Sequence, residues 1–157
     1  MTADDRCGIC GLIERIRTNS FDDFIAELAD CYVILGDAQF YRGYCLMLAK
    51  SHVTELFLMP PAEAHRLFEE LRLVAEAIAS VTKPWKLNYE CLGNAEPHVH
   101  WHILPRYESD ELRRAPIWMR PEAERKAALP KADRTALIAA LREAIVARFP
   151  DARIAAN

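Results

Sequence analysis

The chain has 157 residues, a formal net charge of −3, 27% charged residues and 52% hydrophobic residues. That length accommodates one domain with a sizeable core, and the balance is globular rather than disordered. No basic surplus argues for a nucleic-acid polymer as partner.

In chain order, the opening M-T-A-D-D-R-C-G-I-C has no apolar core of signal-peptide length. Residues 21–28, F-D-D-F-I-A-E-L, carry Phe21, Phe24, Ile25 and Leu28 at helical spacing after a Ser20 cap, which predicts a short helix. C-Y-V-I-L-G-D and Y-C-L-M-L-A-K then read as an antiparallel strand pair joined by A-Q-F-Y-R-G. From 62 to 81, Ala64, Leu67, Phe68, Leu71, Val74, Ala75 and Ile78 make a continuous apolar stripe on one helix, bounded by Pro60, Pro61 and Pro84. W-K-L-N-Y-E-C-L is a third strand, followed by Gly93 and the segment E-P-H-V-H-W-H-I-L-P-R-Y. Residues 106–131 are charged and proline-rich, with Ile117, Trp118 and Met119 as an isolated apolar patch, and read as an ordered arm. A last helix runs from an Asp133 cap through Leu137, Leu141, Ala144 and Ile145 to Phe149, where Pro150 stops it. The order predicts a single α+β domain over 1–157, an antiparallel sheet packed against the long helix. Apolar runs such as Tyr44 to Ala49 are far too short to span a bilayer.

The histidine segment carries His98, His100 and His102, three of the chain's five histidines. Pro97 and Pro105 bracket it, and Val99, Ile103 and Leu104 favour a strand. Alternate residues of a strand share a face, so the three imidazoles point one way and Val99, Trp101 and Ile103 the other, towards the helix stripe. Successive rings then stand roughly 6.5–7 Å apart at their Cα atoms, close enough to share one phosphate or one metal. Charged neighbours at that spacing repel, so at least some of the rings are neutral near pH 7. A neutral imidazole offers a bare nitrogen as nucleophile if its other nitrogen keeps its hydrogen on a fixed acceptor. Flanking histidines would donate to phosphate oxygens. Two other readings stand beside this: a decorated half-buried strand, and a zinc hydrolase using His-x-His ligands. The latter needs nearby carboxylates, and none follows before Glu108 and Asp110.

Cys7-Gly8-Ile9-Cys10 is half of a tetrahedral zinc site. A thioredoxin-like redox pair would follow a strand and open a helix, whereas only a short polar tail precedes this one. With five cysteines and no export signal, the thiols read as reduced or as metal ligands in a cytoplasmic protein. Cys31, Cys45 and Cys91 lie in apolar strands and read as core, and His65 as a helix surface residue.

H-V-H-W-H-I-L, with P-R-Y after it, resembles the signature of the histidine-triad (HIT) superfamily of nucleotide hydrolases and transferases. K-S-H-V-T-E-L, L-G-D and N-Y-E-C-L-G-N also resemble family segments, so that the likeness covers about residues 7–107 and leaves the arm and extra C-terminal helix, about 108–150, outside it. The subgroup resembled is bacterial diadenosine-tetraphosphate hydrolase-like proteins. The resemblance implies a HIT-like fold, a homodimer, and cleavage of a nucleoside 5′-phosphate from its leaving group through a covalent nucleotidyl-histidine. The substrate would be a dinucleoside polyphosphate or another nucleotidyl adduct. His100 would be the nucleophile, His102 would contact the α-phosphate, and His98 would support the site. Asp37 would hold ribose hydroxyls, its alternative being a turn residue after Gly36. Asn88 and Asn94 match amides near the phosphates, although Asn88 also suits an exposed strand position. A structural zinc would take Cys7, Cys10, His52 and His98, with no catalytic metal. A non-catalytic nucleotide-binding module and a zinc-dependent hydrolase remain the alternatives. One departure is G-N-A-E-P before the triad, where many members have a longer loop ending Gly-Gln-Ser or Gly-Gln-Thr. A Glu96 carboxylate beside phosphate is unfavourable unless it points away.

Overall fold

The computed structural model describes residues 7–154; the charged residues 1–6, where no leader is expected, lie outside them. Five strands form one antiparallel sheet in the order β1-β2-β3-β5-β4. They are β1 (Phe24–Glu27), β2 (Cys31–Leu35), β3 (Cys45–Ala49), β4 (Lys86–Glu90) and β5 (His100–Arg106). The helices are α1 (Gly8–Arg17), α2 (Pro61–Thr82), α3 (Glu122–Arg125) and α4 (Lys131–Val146). The α+β class is as expected, and no helix is long and apolar enough to cross a membrane.

The predicted strand pair is β2 and β3, in register from Cys31 opposite Ala49 to Leu35 opposite Cys45. Pro61 starts α2, and Lys83 ends it in the left-handed region at φ 49°. The stripe Leu67, Leu71, Val74, Ala75 and Ile78 is buried in the main core, whereas Phe68, expected within it, is exposed. Val99, Trp101 and Ile103 pack into this core as β5 periodicity requires. Leu137, Ile138, Leu141 and Ile145 bring α4 into the same core. That helix begins after Pro130, so Asp133 lies in its first turn rather than at its cap, and it ends at Val146, before Phe149. A carboxylate in the first turn still favours the helix dipole.

One expectation at the N-terminal end is corrected. Residues 24–27 are not helical but form β1, and α1 occupies residues 8–17, for which no element was expected. Phe21, Phe24, Ile25 and Leu28 mimic a helical stripe because β1 is buried on both faces. Phe24 packs with α1, while Ile25 and Ala26 enter the main core across a register irregularity. Pairing with β2 outweighs so short a local signal. The outer edge of β1 is covered by Arg153, whose backbone pairs with Glu27. In α1, Ile9, Ile13 and Ile16 lie on one side and are buried against Tyr32, Ile34 and Leu48. Each such aliphatic side chain contributes about 1.5–3 kcal/mol on burial, enough to hold a ten-residue helix that would not persist alone.

The register sets the site. Leu48 lies opposite His100 and Leu46 opposite His102, so these histidines share the sheet face that α1 covers at one end. At the other end of that face Ala38, Tyr41, Tyr44, Leu104 and Ile117 form a separate cluster beneath the arm. Cys31 and Cys45 are buried as expected; Cys91 lies just beyond β4 and is exposed, a correction to its assignment to the core. His65 is exposed on α2.

Candidate functional site

His100 and His102 project from β5 with ring centroids 4.9 Å apart. His98 sits just before the strand and is buried, and it does not share one open group with the other two. Its backbone carbonyl lies 2.6 Å from Nδ1 of His100. A carbonyl can accept and not donate, so Nδ1 carries a hydrogen, and a ring holding that hydrogen alone has a bare Nε2.

His102 is held in the opposite sense. Its Nδ1 lies 2.6 Å from the Tyr44 hydroxyl, and the two rings stack 5.9 Å apart. Burial, together with the nearby Asp37 carboxylate, raises the Tyr44 phenol well above its usual range, so it keeps its proton. No other acceptor among the described residues takes that proton, so Tyr44 donates to Nδ1. Burial and the neighbouring His100 push the His102 ring down to about 4, leaving it neutral at physiological pH. Its hydrogen is therefore on Nε2. Two adjacent imidazoles thus present unlike atoms, a lone pair on His100 and an N–H on His102.

Tyr44 carries no motif signal. It lies one residue before β3, two before Leu46, and its face follows only from the β3–β5 register. Gly36 makes room for it: a Cβ there would stand 2.3 Å from Tyr44 Cε1.

Cys7, Cys10, His52 and His98 converge, with one ligand atom from each lying within 4.8 Å of all the others. Cys10 Sγ is 3.2 Å from His52 Nδ1 and 3.5 Å from His98 Nδ1, and Cys7 Sγ is 3.5 Å from His98 Nδ1. Two thiolates and two imidazoles at such separations fit a tetrahedral metal. His98 Nε2 lies 2.9 Å from the Ala49 carbonyl, which leaves Nδ1 as the ligand atom, the usual outer support of a metal-bound histidine. The cysteine pair does open a helix, as a redox pair would, with the Cys10 amide donating to Cys7 Sγ at 3.4 Å. The two histidines facing the sulfurs favour a metal instead. The same four residues could hold zinc, and His98 then joins that cluster to the His100 ring through its own backbone.

The Glu96 carboxylate is held at the start of α1. Its Oε2 accepts from the Gly8 amide at 2.9 Å, at the positive end of α1, and a Cβ on Gly8 would meet Oε1 at 2.6 Å. Asp37 is exposed at the end of β2, 3.7 Å from Lys126 Nζ. Asn88 accepts from Arg106 Nη1 at 2.9 Å, and Asn94 is exposed with no hydrogen bond to the triad. The arm supplies a wall that periodicity could not reveal. Trp118 packs edge-on to His102 with centroids 5.7 Å apart and donates Nε1–H to Glu90 at 2.6 Å. Buried Arg106, Asp110 and Arg120 anchor this arm, with Asp110 accepting from Arg106 at 2.9 Å and from Arg120 at 2.8 Å.

A sequence model of the HIT domain matches residues 17–109, more than half of the chain. No curated protein matches. Among solved structures, a histidine triad protein of Bradyrhizobium japonicum is 26% identical, with a TM-score of 0.69 over 83% of this chain and 94% of that one. One from Sinorhizobium meliloti is 24% identical, with a TM-score of 0.68 over 83% and 93%. A zinc-bound histidine triad family protein of Mycobacterium smegmatis is 21% identical, with a TM-score of 0.65 over 94% and 99%. The match to the domain, with His98 just before β5 and His100 and His102 on it, leads to one conclusion: this chain belongs to the HIT family.

Proposed function

We propose that the protein is a nucleotide hydrolase or transferase that cleaves a nucleoside 5′-phosphate from its leaving group through a nucleotidyl-His100 intermediate. The observation that carries this reading is the pair of contacts at the two Nδ1 atoms, the His98 carbonyl on His100 and the Tyr44 hydroxyl on His102, which assign the rings opposite tautomers. The bare Nε2 of His100 attacks the α-phosphorus as the bond to the leaving group breaks. The ring becomes cationic, and its Nδ1–H stays on the His98 carbonyl, which stabilises the charge. His102 Nε2–H donates to a non-bridging oxygen as negative charge develops there. Water or another acceptor then attacks the phosphorus, releases the nucleotide and restores the bare nitrogen.

In this reading Asp37 holds the ribose, Asn88 and Asn94 lie near the phosphates, and the substrate is a dinucleoside polyphosphate or another nucleotidyl adduct, as in diadenosine-tetraphosphate hydrolase-like members. Cys7, Cys10, His52 and His98 hold structural zinc, supported by the convergence of their ligand atoms and by the zinc-bound Mycobacterium relative. The zinc would supply a rigid anchor for His98, and no bond-making step is assigned to it. The reading includes a cytoplasmic homodimer. Supporting a dimer, β4 is an edge strand with exposed Tyr89 beside exposed Phe68 of α2. Replacing His100 with Gly tests the assignment. Turnover should vanish while nucleotide binding and metal content persist. Metal lost together with activity would favour a zinc hydrolase, and an unaltered protein that binds nucleotides without turnover would be a binding module.

A further inference from the structure

The arm carries several cations, of which Arg120 and Lys126 are committed to carboxylates. Arg120 donates to Asp110, Glu111 and Glu124, each at 2.8 Å. Lys126 pairs with Glu122 at 2.7 Å and with Asp37 at 3.7 Å. Arg125 differs. Its Nε donates to the Arg120 carbonyl at 3.0 Å, and its backbone carbonyl accepts from the Phe40 amide at 3.2 Å, so the residue is fixed at both ends. Its guanidinium lies over the Trp118 ring at 4.7 Å, and that ring meets His102 at 5.7 Å. Yet no acceptor among the described residues takes a hydrogen bond from the terminal nitrogens Nη1 and Nη2. A half-buried guanidinium ordered by stacking but left with two open donors is a preformed anion site.

The location indicates which anion. The His98 end of the triad is filled by Cys7, Cys10 and His52, so a substrate chain extends over His102 towards the arm. On that side Asp37 is exposed and lies 3.7 Å from Lys126, and Glu90 accepts from Trp118. The one arginine of β5, Arg106, is buried and bonded to Asp110 and Asn88, so it does not turn its charge towards a polyphosphate. The Tyr44 phenol, which bonds His102, feels Arg125 as a nearby positive charge.

We infer that Arg125, seated on Trp118, forms a subsite for the phosphate beyond the one His100 attacks, and makes the enzyme select leaving groups that carry phosphate. This rests on the nucleotidyl-transfer reading for its place in catalysis. It names the substrate class as nucleotides with a phosphoanhydride-linked leaving group, in preference to those whose leaving group is a simple amine.

The test compares hydrolysis of an adenosine polyphosphate with that of adenosine 5′-phosphoramidate, whose leaving group has no phosphate. Arg125→Met keeps the aliphatic stem over Trp118 and removes the charge. The ratio of kcat/KM values, polyphosphate over phosphoramidate, should fall about 10–100-fold, the effect of losing charge-assisted hydrogen bonds. Arg125→Lys should recover part of that ratio. Equal losses on both substrates would overturn the subsite and leave Arg125 as a support of the arm. Calorimetric titration with inorganic tripolyphosphate reads the subsite without turnover: Arg125→Met should weaken binding about tenfold. Unchanged binding overturns the inference. If the unaltered protein hydrolyses neither nucleotide, the nucleotidyl-transfer reading fails, and the titration still decides the subsite.

Discussion

Tyr44→Phe isolates the tautomer argument. The substitution keeps the stacked ring and deletes one hydroxyl 2.6 Å from His102 Nδ1. The Tyr44 side chain is buried, so water does not freely replace the lost donor. His102 cannot fill the gap by taking up a proton at neutral pH, because its ring is held down to about 4. An unsatisfied buried acceptor costs about 1–3 kcal/mol. For a domain of this length about 1 kcal/mol corresponds to a melting shift of some 2–4 °C, so a fall of roughly 2–12 °C is expected. Catalysis should suffer separately. Outright loss of a transition-state donor costs about 10²–10³ in kcat, but here the nitrogen remains and only its hydrogen is misplaced, so about tenfold is expected. KM should change little, since the ground state is bound elsewhere. The assay pairs steady-state kinetics with long-range ¹H–¹⁵N correlation spectra of the imidazoles. Wild type should show His102 as the Nε2–H form and Tyr44→Phe a mixed population. Gly36→Ala should give the same spectral signature with the hydroxyl still present, because its Cβ would collide with the Tyr44 ring. Unchanged His102 nitrogen shifts and an unchanged kcat in Tyr44→Phe would refute the reasoning.

Metal and arm give further tests. Cys10→Ser should weaken zinc binding at least ~100-fold and lower kcat, because in the proposed site His98 would be both a ligand and the acceptor that orients His100. Wild-type protein with less than half an equivalent of zinc by metal analysis would contradict the site. Asp110→Asn leaves the buried Arg106 and Arg120 without their shared carboxylate and should cost about 3–5 kcal/mol at pH 7. Burial opposes the Asp110 charge, but bonds from Arg106, the Leu112 amide and Arg120 outweigh it and hold the carboxyl below its usual range. That stabilisation is therefore present above the unfolded carboxylate pKa of about 3.9 and lost as pH falls through the lower folded value. Denaturant titrations should show the gap between variant and wild type shrinking below about pH 4; wild-type stability of the variant at pH 7 would contradict the anchor.

Features with a local period were the ones legible in the sequence. The stripe on α2 and the alternation in β5 each recur within their own segment, and the structure keeps them apart from Phe68, which is exposed, and His98, which precedes the strand. The fourfold cluster of Cys7, Cys10, His52 and His98 came through family resemblance, since its members are up to ninety-one positions apart. Ile9, Ile13 and Ile16 were a helical signal within reach, masked by two glycines and a cysteine in the same ten residues. The strand at Phe24–Glu27 was not readable locally, because burial on both faces erases the alternation that marks a strand. Tyr44 and Trp118 were beyond reach for another reason. Each meets His102 through pairing or packing across the fold, and no spacing in the chain encodes that register. Glu96 shows the converse. Its position before the triad suggested a clash with phosphate, and the turn there sends its carboxylate to the start of α1.

The covalent step is the central claim, and intact mass after rapid quenching tests it most directly. Mixed with an adenosine polyphosphate and quenched within the first turnover, the wild-type protein should gain one nucleotidyl unit, which digestion places on His100 and which His100→Gly never acquires. Turnover without any such adduct, or an adduct that persists in His100→Gly, would contradict the account.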